Sequence, residues 1–165
     1  MTVSEKYNSN LIHILNRVRN SVEMGKNVVF TNGCFDLFHV GHLDFLNKCK
    51  KCGDFLFVGI NSDLSIKRIK GLSRPIIPEE QRLSIVRAIK WVDEAVLFDE
   101  DTPLELIKKI QPSILIKGGD WKIDNIVGRE FVESYGGEVF IIPHEINIST
   151  SNIIQKIIRN LETIE

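Results

Sequence analysis

The residues best able to do chemistry lie in the run Thr31-Asn32-Gly33-Cys34-Phe35-Asp36-Leu37-Phe38-His39-Val40-Gly41-His42. Residues three apart on a helix share a face, so His39 and His42 can address one phosphate group together. The apolar run 28–30 before them predicts a buried strand, and Gly33 a turn into a helix whose N-terminus favours anions. Gly41 removes the side chain that would hold a nucleotide away from the backbone. The histidines could instead satisfy buried polar groups, or join Asp36 as metal ligands. Donation to phosphate oxygens is favoured, and no metal ligand set is assigned. Such donors suit nucleotidyl transfer, in which negative charge builds on the phosphate oxygens and the leaving pyrophosphate.

The elements needed to hold this site follow in alternation. Leu11, Leu15, Val18 and Val22 recur at helical spacing and stop at Gly25, which predicts an opening amphipathic helix. Runs 55–60, 95–98, 113–116 and 138–142 predict further strands, the first of them apolar enough to be covered on both faces. Pro78 and Pro103 mark helix starts, the first carrying Leu83, Val86 and Ile89 inward. Ser149-Thr150-Ser151 supplies an N-cap for a closing helix bearing Ile153, Ile154, Ile157 and Ile158. The expected fold class is α/β, a doubly wound (Rossmann-like) parallel five-stranded sheet with helices on both faces. One domain is expected over 1–165, with an N-terminal helix to 25 and a catalytic core at 26–160.

Ligands of such sheets bind beyond the carboxyl ends of the strands, and the remaining polar motifs fall there. Lys117-Gly118-Gly119-Asp120 is either a tight turn or a close approach of backbone to ligand. Ser149-Thr150-Ser151 is a plain cap or a second phosphate cradle, and Asn61-Ser62-Asp63 an Asx-type cap or a nucleotide contact. Lys70 and Arg74 bracket a loop that is either solvated or substrate-binding, and Arg74 and Arg82 offer guanidinium forks suited to phosphate. Thr31, at the end of the first strand, is counted with the nucleotide contacts.

A net charge of −1 argues against nucleic acid or an acidic membrane surface as partner. No stretch is long and apolar enough for a membrane span, and the polar start lacks a signal-peptide pattern, so a cytoplasmic protein is expected. Cys49 and Cys52 are spaced like a zinc or redox pair but lack a second pair, and the favoured reading has both thiols covering the buried side of one helix.

Together, TNGCFDLFHVGH, GINSD, IKGLSRPIIPEEQR, FDEDTP, IKGGDW and ISTSNII resemble the cytidylyltransferase-like nucleotidyltransferases, and within them the adenylyltransferase domain of ADP-heptose synthesis. The resemblance implies transfer of AMP from ATP, with Mg²⁺, to D-glycero-β-D-manno-heptose 1-phosphate. It implies that His39 and His42 hold the triphosphate, that Gly33 and Phe35 lie beside the nucleotide, and that Thr150 and Ser151 bind the outer phosphates. Lys50 or Lys51 would reach the acceptor phosphate and α-phosphate, Asp36 would be a polar contact or magnesium organiser, and Lys117, Gly118 and Asp120 would line the nucleotide pocket. A homodimer is implied, as are a separate heptose kinase and phosphatase upstream, because bifunctional members carry their kinase ahead of this domain. A glycerol-3-phosphate cytidylyltransferase or FAD synthetase-like transferase is the alternative, although Glu145-Ile146-Asn147-Ile148 replaces the Arg-Thr-x-Gly lead of the former. A non-catalytic nucleotide sensor is the alternative of another class.

Overall fold

The computed structural model describes residues 3–146 and 148–163, with side chains from residue 12 onward. Five parallel strands, β1 (Val28–Gly33), β2 (Phe55–Asn61), β3 (Glu94–Phe98), β4 (Ile114–Gly118) and β5 (Glu138–Ile142), form one sheet in the order β3-β2-β1-β4-β5. Every pairing is parallel, with Val28 opposite Phe55 and Val29 opposite Ile114. The order reverses between β1 and β4, so their carboxyl ends part and leave a crevice. The doubly wound sheet expected from the alternation is the one observed.

Apolar residues cover both faces. One core packs Ile14 and Val18 of α1 (Val3–Glu23), Ile107 of α5 (Leu104–Ile110) and Val132 of α6 (Arg129–Ser134) against Phe30, Phe57 and Leu115. The other packs Leu46 and Cys49 of α2 (Val40–Lys50) and Val86 of α4 (Glu79–Arg87) against Val29, Leu56 and Ile116. Cys49 is thus a core residue, and burial pushes its thiol far up, away from thiolate chemistry; Cys52 is exposed. No helix among the described residues is long and apolar enough to cross a membrane.

Three details differ from the pattern-based expectation. In α1 the inward face is Ile14, Val18 and Ser21, with Leu15 half-buried against the same core as expected, while Val22 is exposed and the side chain of Leu11 lies outside the described residues. Both stripes have helical spacing, and the sheet selects the one that meets Phe30. The helix still ends as expected: Gly25, at φ +73°, donates to Val22 O while Lys26 N donates to Ser21 O. In α7 (Thr150–Glu162) Ile157, Ile158 and Leu161 are exposed, since only Ile153 and Ile154 of the stripe are even half-buried. Short helices α3 (Asp63–Lys70) and α6, with the 3₁₀ turn 123–125, complete the crossovers at lengths too short for a clear apolar period.

Candidate active site

The turn from β1 to α2 holds two of the three left-handed non-glycine residues among those described. Phe35 and Leu37 both hold left-handed conformations, at φ 51° and 45°, which cost side-chain-bearing residues of order 1 kcal/mol or more each. The turn persists because Asp36 between them is pinned. Its carboxylate, almost wholly buried, accepts from Arg74 Nε at 2.8 Å and from the Ile76 and Ile77 amides at 3.0 and 2.9 Å. Burial alone would raise its pKa, but these hydrogen bonds and the Arg74 charge hold it below the ordinary carboxylate value. Arg82, fully buried, clamps the same turn from behind: it donates to Cys34 O, Ile77 O and Asp63 Oδ1 at 2.5, 2.9 and 2.8 Å.

This scaffold presents the histidines. His39 is the N-cap residue of α2 without a side-chain cap bond, and its ring stacks on that of His42 with centroids 3.8 Å apart. Phe35 and Phe38 flank His42 at 5.3 and 5.4 Å. A Cβ on Gly41 would lie 3.0 Å from His39 Nδ1 and 3.1 Å from Ile148 Cγ2, so the room this glycine leaves is taken by the protein's own ring and loop. Burial drives the His42 pKa down to about 3, and nearby His39, His144 and Lys70 push it the same way against Asp36. Burial and His144 lower His39 likewise. Both rings are therefore neutral near pH 7, and the buried Nδ1 of each has no hydrogen-bond partner.

Two cavities meet here. One of about 460 Å³ opens between the β1 and β4 ends, with Gly33, Phe35, Lys117, Gly118 and Trp121 among its walls. Its size suits a small-molecule ligand such as a nucleoside. Lys117 donates to Asn32 Oδ1 at 3.1 Å and lies 5.4 Å from the Trp121 ring; burial, and secondarily Lys70, lower its pKa. A smaller cleft of about 250 Å³ runs past His39, Gly41 and Arg74 to Ser149, Thr150 and Ser151 at the N-terminus of α7. Backbone amides at that helix start suit an anion. The Ser149 hydroxyl accepts from Asn152 N, whereas that of Thr150 donates to Asp36 O at 2.6 Å.

The crevice gathers most of the sequence-selected residues, and it leaves several outside. Asn61 reaches the larger cavity, though its amide donates to Ser65 Oγ at 3.1 Å. Thr31 is buried in β1 with its hydroxyl unpartnered. Asp120 is exposed and lines neither cavity, while the next residue, Trp121, lines the larger. Lys50 and Lys51 stand at the far end of α2, about 15 Å of helix away from His39. There Lys50 Nζ binds Asp93 Oδ2 and Asp54 O at 2.5 and 2.6 Å. The helix that starts at the site runs away from it, so its last turn serves the amino ends of the strands. Arg82 faces inward, and its fork is occupied by protein oxygens. Missed by sequence reasoning were Asn32, Trp121 and His144; a ring placed just after the last parallel strand was the available signal for the last.

The described residues hold no group of three His, Cys, Asp or Glu able to bind a metal, and both Asp36 oxygens are engaged by the protein. The side chains therefore do not fit a protein-held magnesium cage, and Asp36 is built as a turn anchor.

The family model described as cytidylyltransferase-like matches residues 30–156. The bifunctional protein HldE of Geobacter sulfurreducens is 54% identical over 82% of this chain and 28% of its own length. That of Syntrophotalea carbinolica is 54% identical over 84% of this chain and again 28% of its own. The chain thus spans less than a third of these curated relatives. Among solved structures, the lipopolysaccharide core biosynthesis protein of Thermoplasma volcanium shares 31% identity at a TM-score of 0.61, covering 74% of this chain and 99% of that one. A Thermus thermophilus pantothenate synthetase, 17% identical at a TM-score of 0.50 over 71% of this chain and 55% of its own, shares the fold.

Proposed function

The chain belongs to the cytidylyltransferase-like family, and from that premise we propose that it transfers AMP from ATP to D-glycero-β-D-manno-heptose 1-phosphate, releasing pyrophosphate and ADP-heptose. The observation that carries this reading is the crevice at the β1/β4 ends, where a nucleoside-sized cavity adjoins a cleft bounded by His39, His42 and the Ser149–Ser151 helix start. The high identity to HldE proteins over most of the chain supports the sugar phosphate as acceptor.

An acceptor phosphate oxygen attacks the α-phosphorus, a new P–O bond forms, and the bond to the pyrophosphate oxygen breaks. The chain's part is to bind and orient. The cavity between β1 and β4 takes adenosine, with Lys117 and Trp121 on its wall. The cleft takes the outer phosphates on the α7 amides. His39 and His42, neutral and stacked, donate ring N–H groups to phosphate oxygens as their charge grows. Lys70 supplies positive charge where the two cavities join. Mg²⁺ enters as the MgATP complex. A single catalytic domain with its core at 26–160, a cytoplasmic location with access to ATP, a homodimer, and supply of heptose 1-phosphate by a kinase and phosphatase complete the reading.

The test is pyrophosphate release with ATP, CTP or GTP against heptose 1-phosphate, glycerol 3-phosphate or FMN. Turnover with ATP and the heptose phosphate alone is expected. Turnover with another pair replaces the substrates proposed, and nucleotide binding without turnover of any pair turns the reading into that of a sensor.

A further inference from the structure

The two cavities have different walls except at their junction, where His42, Lys70 and His144 line both. If the nucleoside fills one and the outer phosphates the other, the phosphate nearest the nucleoside lies against these three side chains. They arrive from separate elements: His42 from the first turn of α2, Lys70 from the end of α3, and His144 from the segment after β5. We propose that His144 is a third imidazole contact to the phosphate nearest the nucleoside of a bound nucleoside triphosphate, an inference that rests on the nucleotide reading of the crevice.

Its surroundings fit that task. The His144 ring meets Phe45 edge to face at 6.2 Å and 74°, and backs onto the β4 turn. There Gly119, at φ +104°, has no Cβ; one would lie 3.2 Å from His144 Nε2. These contacts steady one side of an otherwise exposed ring, and no hydrogen bond or ion pair among the described residues engages its nitrogens. Positive charge on His144 disfavours charge on His39 and His42, so the three rings share one electrostatic neighbourhood that a phosphate group would relieve. Sequence reading passed over this residue because no other chemistry-bearing side chain stands at helical spacing to it.

The test compares calorimetric affinities for MgATP and for adenosine in the wild-type chain, His144→Phe and His144→Gln. Phenylalanine keeps the ring packing and loses the donor, and glutamine restores an N–H. His144→Phe is expected to weaken MgATP about tenfold with adenosine unchanged, and His144→Gln to recover most of the loss. Equal MgATP affinity in wild type and His144→Phe, or equal weakening of both ligands, overturns the contact while leaving the nucleotide site standing. A wild-type chain that binds neither ligand overturns the site and this inference with it.

Discussion

Burial of His42 links protein stability to pH. Its pKa is driven from 6.5 to about 3 in the folded chain, so between these values the unfolded chain binds the extra proton. Stability is then full above the unfolded value and falls as pH drops through the window. Between pH 7 and pH 5 the loss from this one group comes to about 2 kcal/mol. His39 acts in the same direction, whereas Asp36 titrates below its ordinary 3.8 and stays out of the interval. His42→Gln removes the titrating ring and leaves the other groups in place. Urea unfolding at the two pH values, in wild type and variant, isolates the contribution as a double difference. The wild type is expected to lose about 2 kcal/mol more than the variant on acidification. Equal losses in the two proteins would refute the argument, because His42 would then be free to protonate in the folded state.

Other perturbations separate turn scaffolding from phosphate contact. Arg82→Met leaves Asp63, Cys34 O and Ile77 O without their donor, and urea unfolding should show a loss of about 3–5 kcal/mol; a loss under 1 kcal/mol would remove the clamp from the account. Gly41→Ala places a Cβ 3.0 Å from His39 Nδ1, so turnover should fall at least tenfold, while helix propensity changes stability by only about 1 kcal/mol in its favour. Unchanged turnover there would show that the His39 position is not critical. Lys50→Met and Lys51→Met should keep turnover within twofold, with Lys50→Met costing about 1 kcal/mol in the Asp93 ion pair; a tenfold loss of rate in either would return these lysines to the site.

Much of the fold was legible because β2 and its neighbours are continuous apolar runs, which only a sheet covered on both faces accommodates. The histidines were legible because a three-residue spacing across the start of α2 brings the N-cap ring onto that of the first turn. What failed was direction and partnership. Lys50 and Lys51 follow the histidines closely in sequence, yet a helix carries them to the opposite, amino ends of the strands. Arg82 offers a fork suited to phosphate, but its partners come from positions 34, 63 and 77, which no local pattern brings together. Asp36 shows the same: an acidic residue beside two histidines suggests a metal, and the amides of Ile76 and Ile77 claim it instead. His144 needed the third dimension, since its cavity is completed by strands distant in sequence.

The central claim is that this crevice joins AMP to a heptose phosphate with phosphate held by the paired histidines. ³¹P NMR of the purified chain with MgATP and D-glycero-β-D-manno-heptose 1-phosphate, alongside folded His39→Ala and His42→Ala variants, tests it most directly. The account predicts pyrophosphate and the paired diphosphate signals of ADP-heptose from the wild type, with rates lower by orders of magnitude in both variants. No diphosphate product from the wild type, or near-normal turnover in either variant, would contradict it.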